Sequence, residues 1–341
     1  MLGIGSKSRQ TEQPVEAVPE PTPEPAPEPP PPPAIDLGPL LARIDTLERQ
    51  VLALSMGRLP DSELWRGQPP LLADGDPGVA VFTTGTLCRE AHYREPWFSF
   101  WTEALGEALR YHRKLWEFVF VCQVLHERGL LEMGSRGLGF GVGEEPLSAY
   151  FASRGCRITA TDLPGEDAER AGWTKTAEHA AGKETLRRPN LCDEAVFDAA
   201  VDFRTVDMNA VPDDLTGFDF CWSACALEHL GSIEAGLAFI RRSIETLKPG
   251  GLAVHTTEFN LTSNNDTVSE GGTVLFRKRD FEALIAQLRA QGHEVSAIDY
   301  DPGDGPIERY IDMAPYRPEP HLKLALDGFA TTSIGLFIRR G

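Results

Sequence analysis

Four glycines alternate in the run Gly137-Leu-Gly-Phe-Gly-Val-Gly143, and two acids, Glu144 and Glu145, follow at once. Glycines at such a turn let a ligand approach the backbone closely, because a side chain would block it. Nineteen residues after Gly143, the run Arg157-Ile-Thr-Ala-Thr161 ends in Asp162, with Leu163 behind it. A carboxylate at the end of a strand in that position can accept hydrogen bonds from both hydroxyls of a ribose. A strand, a glycine turn, a helix and then an acid after the next strand therefore point to a nucleoside-containing cofactor.

Two cofactor classes use this geometry. A nicotinamide site wants GxGxxG, whose third glycine lets helix and strand pack closely. Here the registers starting at 137, 139 and 141 place Val142, Glu144 and Pro146 at that third position. Glu144 and Glu145 at a helix start would also repel a pyrophosphate. S-adenosylmethionine carries no phosphate and a positive sulfonium, so acids beside it are tolerated.

The run from Gly137 to Asp162 resembles the first two motifs of class I S-adenosylmethionine-dependent methyltransferases. Three later stretches are similar to the same family in the same order. They are Val206-Asp207-Met208, then Phe218-Asp-Phe-Cys-Trp-Ser-Ala-Cys-Ala-Leu-Glu-His229, then Leu247-Lys-Pro-Gly-Gly251. The resemblance covers residues 134–341. It implies a Rossmann-like α/β fold, a mostly parallel seven-stranded sheet flanked by helices. It also implies a cofactor site of Gly139, Gly141, Gly143, Asp162, Leu163, Asp207, Met208 and Ser223, with Asp207 and Met208 at the adenine. The family usually has an acid where this chain has Gly137; Glu144 or Glu145 is the candidate substitute.

Methyl transfer is an in-line displacement at a sulfonium carbon, so much of the work is positioning and water removal. A hydroxyl acceptor also needs a base. His229, with Glu228 to orient it, follows the fourth strand at the carboxyl edge of the sheet. A second cluster runs from His255 to Asp266 through Glu258, Asn260 and Asn264. Strand alternation sends His255 and Thr257 to one face and Thr256 and Glu258 to the other. Glu258 is then the catalytic candidate and His255 a structural residue. Trp173, Lys175, His179, Arg187 and Arg188 lie between Asp162 and Asp207, in a stretch long enough for a lid. The segment Tyr310-Ile-Asp312, Pro315-Tyr316 and His321-Leu-Lys323 is expected to line the acceptor pocket. The expected reaction is O-methylation of a hydroxyl-rich small molecule, such as a sugar or glycan precursor. An amine acceptor stays open at this point, as does an inactive S-adenosylmethionine-binding scaffold.

These residues need elements to hold them. Patterning predicts strands near 135–139, 157–161, 202–206, 218–223, 251–257, 295–300 and 332–339, with helices near 145–154, 233–247 and 280–291. Residues 96–131 read as two helical pieces, in which His112, Lys114 and Glu117 are polar insertions expected to be solvated. Residues 1–34 hold eleven of the 27 prolines and read as a disordered tether. In 35–56, Leu37, Ile44 and Val51 repeat every seven residues, and Leu40, Leu47 and Leu54 follow each by three. That seam predicts a helix that pairs copies of the chain through residues 36–55. Residues 57–133 make an irregular segment and the helical extension.

Composition bounds the rest. Across 341 residues, Lys plus Arg is 33 against 51 for Asp plus Glu, a formal charge of −18. A basic footprint for nucleic acid is missing, and no NPPY-like or DPPY-like motif follows the fourth strand. The six cysteines, at 88, 122, 156, 192, 221 and 225, form no CxxC pair, so neither a metal centre nor a disulfide framework is expected. No apolar run reaches the ~20 residues of a membrane helix. A cytoplasmic enzyme tethered to a larger assembly fits these features.

Overall fold

The computed structural model describes residues 37–41, 43, 44, 47, 77–165 and 179–341. The proline-rich segment 1–34, the seam positions Val51 and Leu54, and the insertion residues Trp173 and Lys175 lie outside them. Residues 38–41, 43, 44 and 47 are helical, and Leu37, Leu40, Leu41, Ile44 and Leu47 are exposed.

Among the described residues the sheet has ten strands: β1 (Gly85–Leu87), β2 (Arg136–Phe140), β3 (Arg157–Asp162), β4 (Val201–Thr205), β5 (Phe218–Ala224), β6 (Leu247–Asn260), β7 (Glu294–Val295), β8 (Ile298–Asp299), β9 (Leu324–Leu326) and β10 (Phe329–Arg339). Their order is β4-β3-β2-β5-β6-β10-β1-β8, with β7 and β9 also on β10. The strands from β4 to β6 are parallel, and β10 runs antiparallel to β6. The expected Rossmann-like α/β sheet is therefore present, with short strands added at the β10 edge. The order reverses between β2 and β5, which puts the switch point at the carboxyl ends of these two strands, where open sheets of this kind bind ligands.

Six helices complete the described fold: α1 (Pro96–Ala104), α2 (Arg113–Glu127), α3 (Leu147–Ser153), α4 (Glu194–Ala200), α5 (Ile233–Glu245) and α6 (Lys278–Ala290). One face of the sheet carries α2 and α3 over Phe220 and Trp222. The other carries α5 and α6 over Cys221, Leu138 and Ile338. Every residue of α2 from Leu115 to Leu125 is buried, as a helix laid across a sheet with α1 on its far side requires. Its two polar members are satisfied differently. Gln123 accepts from Trp101 Nε1 at 2.5 Å and donates to Glu127 at 2.7 Å. Glu117 is turned towards the carboxyl edge of the sheet. The helix can lie this close because β10 has Gly335 beneath it, where a Cβ would come within 2.4 Å of the Phe120 ring.

Candidate active site

The glycine run divides between strand and turn. Gly137 and Gly139 are inside β2, and each leaves room for an aromatic ring of β5. A Cβ on Gly137 would sit 2.4 Å from Phe220, and one on Gly139 would sit 2.5 Å from Trp222. The turn itself is made by Gly141 and Gly143, both with positive φ (57° and 51°) that other residues adopt at a cost. A Cβ on Gly141 would meet Ala226, beyond β5, at 2.8 Å and Met208 Sδ at 3.2 Å. Met208 and the segment after β5 therefore border the turn. Asp207 caps the short helix that carries Met208, accepting from Asn209 N–H at 2.8 Å.

Asp162 ends β3 with its carboxylate almost wholly buried. Oδ2 accepts the Gly143 and Ala180 N–H groups, each at 2.9 Å, and Oδ1 accepts the Leu163 N–H at 2.7 Å. Burial raises its pKa, and the three backbone donors pull the other way. One carboxylate thus pins the glycine turn to the end of the insertion, and Oδ1 keeps a lone pair for a ribose hydroxyl. His179 of the insertion bonds to the Leu163 carbonyl at 2.7 Å, and Arg188 reaches the Glu144 carbonyl. Arg187 pairs at the surface with Glu184 and Asp198.

Of the two acids that precede α3, Glu144 is exposed and Glu145 is buried. The Trp222 indole N–H donates to Glu145 Oε1 at 2.5 Å. Burial pushes the Glu145 carboxyl up to about 8, against the Trp222 bond and the charge of Lys114. Glu145 is thus a neutral carboxyl at pH 7, held beside the turn.

Ser223 is elsewhere. It faces α5, where its hydroxyl lies 2.8 Å from His255 Nδ1, and Ser243 of α5 lies 2.9 Å from His255 Nε2. Side chains alternate across a sheet, so Trp222 meets Glu145 on the α2/α3 face and Ser223 is carried to the opposite one. His255 is the buried structural residue expected, its pKa driven down to about 3 by burial. The polar loop after β6 exposes Asn264, Asn265 and Asp266 but is closed on itself at its base. Asn260 Oδ1 accepts from Thr262 and Ser263 N–H, and its amide nitrogen donates to the Asp266 carbonyl and to Thr267.

Glu258 lies on the α2 face, as the alternation requires, and its neighbours are the part the sequence left unassigned. Arg113 Nη1 reaches Glu258 Oε2 at 2.8 Å, Ser333 at 3.2 Å, and Glu117 Oε1 and Cys225 Sγ at 3.3 Å each. Cys225 follows β5 with φ of 50° and points its thiol at Glu117 Oε1, 2.8 Å away. Glu117, expected to be solvated, is fully buried because α2 folds down over the sheet edge. His112 is half-buried as the cap of the same helix, and Lys114 stays partly exposed above the Ala224 carbonyl. Burial pushes Glu258 up to about 7, against the pull of Arg113. Two carboxylate oxygens in this cluster, Glu117 Oε2 and Glu258 Oε1, are buried without a hydrogen-bond partner.

Glu228 is buried and accepts from Thr257 at 2.8 Å. His229 sits at the surface, Nδ1 2.9 Å from the Gly272 carbonyl and Nε2 4.0 Å from Glu228. Ligand atoms of Cys225, Glu228 and Glu258 lie within 4.8 Å of one another, a spacing that a divalent ion could bridge. The Arg113 guanidinium supplies the positive charge at that point. Of this cluster, only the i,i+4 spacing of Arg113 and Glu117 was a signal available in sequence.

Residues 138–255 match the family described as a methyltransferase domain. No curated protein matches the chain. Among solved structures, the chain is similar to magnesium protoporphyrin IX methyltransferase from Synechocystis PCC 6803 with bound S-adenosylhomocysteine, at 14% identity and a TM-score of 0.38 over 72% of this chain and 94% of that one. It is also similar to 1,6-didemethyltoxoflavin-N1-methyltransferase from Burkholderia thailandensis, at 17% identity and a TM-score of 0.38 over 64% and 75%. A third is a proposed sarcosine dimethylglycine methyltransferase from Galdieria sulphuraria, at 15% identity and a TM-score of 0.35. The match covers 52% of this chain and spans only 59% of the length of the Galdieria protein. The positive-φ turn at Gly141 and Gly143 and the buried Asp162 carboxylate fit S-adenosylmethionine. With that turn and this parallel sheet, residues 138–255 are a methyltransferase domain with S-adenosylmethionine as its cofactor.

Proposed function

We propose that the protein transfers a methyl group from S-adenosylmethionine to a hydroxyl oxygen of a small polar acceptor, a sugar or glycan precursor being the kind of molecule that fits. The observation that carries this reading is the pair of buried carboxylate oxygens on Glu117 and Glu258 that accept no hydrogen bond. A buried acceptor atom without a donor is costly, and a ligand bearing hydroxyls supplies donors to both. Both acids belong to the cluster around Arg113 and Cys225, one residue from Ala226 and hence from the glycine turn. The neutral Glu145 and Asp162 are the candidate contacts for the cofactor's methionine and ribose ends. An amine acceptor is the second reading, favoured by the excess of buried acids (Glu117, Glu228, Glu258) over Arg113 and Lys114. Cytoplasmic location and tethering through the proline-rich segment remain part of the proposal.

Calorimetric titration with S-adenosylhomocysteine tests the cofactor half. Micromolar binding is expected, weakened at least a hundredfold in Asp162→Ala. Transfer of tritium from methyl-labelled S-adenosylmethionine to a panel of glycosides, polyols, phenols and primary amines tests the rest. Product on hydroxyl acceptors supports the first reading, and product on amines alone replaces it with the second. Cofactor binding without any product favours the scaffold.

A further inference from the structure

His321 is a buried histidine at the acceptor side to which the cofactor site gives no task. Its Nδ1 lies 2.7 Å from Asp312 Oδ2. That carboxylate is itself fixed, by the Arg317 N–H at 2.9 Å and the Tyr310 hydroxyl at 3.0 Å. A carboxylate only accepts, so the proton sits on Nδ1 and the lone pair on Nε2. Nε2 bonds to no group among the described residues and is not among the buried unpartnered atoms. The backbone of His321 is tied to the start of α2. Its N–H donates to the Tyr111 carbonyl at 2.7 Å, and its carbonyl accepts from Arg113 N–H at 2.9 Å. Arg113 is the residue that reaches Cys225 and Glu258, so the imidazole is held close enough to the buried cluster to feel the charges of Arg113 and Glu117.

The charged and titratable groups around this ring are few. The His112 ring lies 4.7 Å away and is held neutral by burial, its pKa near 3. Tyr316 lies edge-on at 5.3 Å. Arg113 disfavours a second positive charge, while Asp312 and Glu117 favour it. Burial outweighs the Asp312 hydrogen bond, and the His321 pKa falls below its ordinary value. The rival bases are worse placed. His229 has Nδ1 against a surface-loop carbonyl, and Glu258 is already paired with Arg113.

We propose that His321, oriented by Asp312, is the base that takes the proton of the acceptor hydroxyl. This rests on the hydroxyl-acceptor reading above. The acceptor oxygen forms a bond to the methyl carbon, the carbon–sulfur bond breaks with its electron pair going to sulfur, and the hydroxyl proton passes to Nε2. The resulting imidazolium is stabilised by the Asp312 carboxylate, which acts as the positioning group.

The test needs no acceptor. The full chain, with and without S-adenosylhomocysteine, is treated with methyl 4-nitrobenzenesulfonate at pH 7.5, and the methylated residue is read by peptide mass spectrometry. His321 is expected to react at Nε2, at least tenfold more slowly in Asp312→Asn. Nitrogen-15 spectra of the histidines in the unaltered protein are the second readout, and keep the test decisive should that variant fail to fold. They should show Nδ1 protonated and Nε2 bare at pH 7. A reactive His229 beside an inert His321, or an Nε2–H tautomer, overturns the proposal. In any hydroxyl-acceptor assay, His321→Gln should lose at least a hundredfold in kcat with S-adenosylhomocysteine affinity unchanged; a loss in affinity instead would make the residue structural. Failure of S-adenosylhomocysteine to bind counts against the cofactor reading alone, because the labelling is read without it.

Discussion

Glu145 shows how one residue's surroundings reverse its meaning. An acid beside a glycine turn reads as a negative charge, yet burial against Trp222 makes it a neutral carboxyl below a pKa of about 8. The folded state then holds a proton that the unfolded chain releases near pH 4.5. Stability from this group is therefore lost as pH rises from about 4.5 to about 8, and is level beyond. Glu145→Gln keeps an acceptor for the indole N–H and removes the titration. The melting temperature of the unaltered protein should drop between pH 5.5 and 8 by roughly 5 °C more than that of the variant. Equal slopes in differential scanning calorimetry would show that Glu145 ionises normally. Asp162 works differently, through three backbone N–H groups, so its loss should loosen the glycine turn as well as the proposed ribose contact.

At the scale of elements, the site depends on how closely α2 approaches the sheet. Arg113 and Glu117 reach Cys225, Glu258 and Ser333 only because the helix lies directly on β5, β6 and β10. Gly335→Ala would drive a Cβ into the Phe120 ring and lift this helix. The expected cost is about 1–3 kcal/mol, read as a lower urea midpoint. The cluster at the helix start should be disturbed as well, so acceptor turnover should fall more than S-adenosylhomocysteine affinity. An unchanged midpoint would mean that the Phe120 ring can move aside freely. Gly139 is the same device in β2, making room for Trp222. A run of glycines that looks like one ligand loop thus does two jobs, ring packing in the strand and backbone reversal in the turn.

For the whole molecule, the open question is how many copies act together. Leu37, Leu40, Ile44 and Leu47 stand at the a and d positions of the N-terminal seam and are 54%, 57%, 42% and 44% exposed. Apolar side chains at that spacing favour burial against a second copy. Light scattering after size-exclusion chromatography should give twice the chain mass, and the double substitution Leu40→Asp, Leu47→Asp should give the chain mass. A monomer before substitution would remove the oligomer reading and leave the enzyme reading untouched.

Local chemistry made much of this protein legible. The glycine turn, Asp162, the parallel strands and the burial of His255 follow from residue types and period-two alternation, which need only a few neighbouring residues to be read. The three-residue strand β1 was missed because it is too short to carry a period, and its partner residues in β10 lie some 250 positions away. Ser223 was placed with the cofactor because the motif marks the strand, and the facing of a single strand residue is set by the sheet. What only the tertiary structure decided is the polar cluster around the start of α2. Arg113 and Cys225 are 112 residues apart, Glu117 and Ser333 are 216 apart, and Asp312 meets His321 only after a turn of chain. A polar residue in an apolar helix reads the same whether it meets water or a buried partner. The fold decides between them, because burying a charge is tolerated only where distant residues supply its counter-charge and hydrogen bonds.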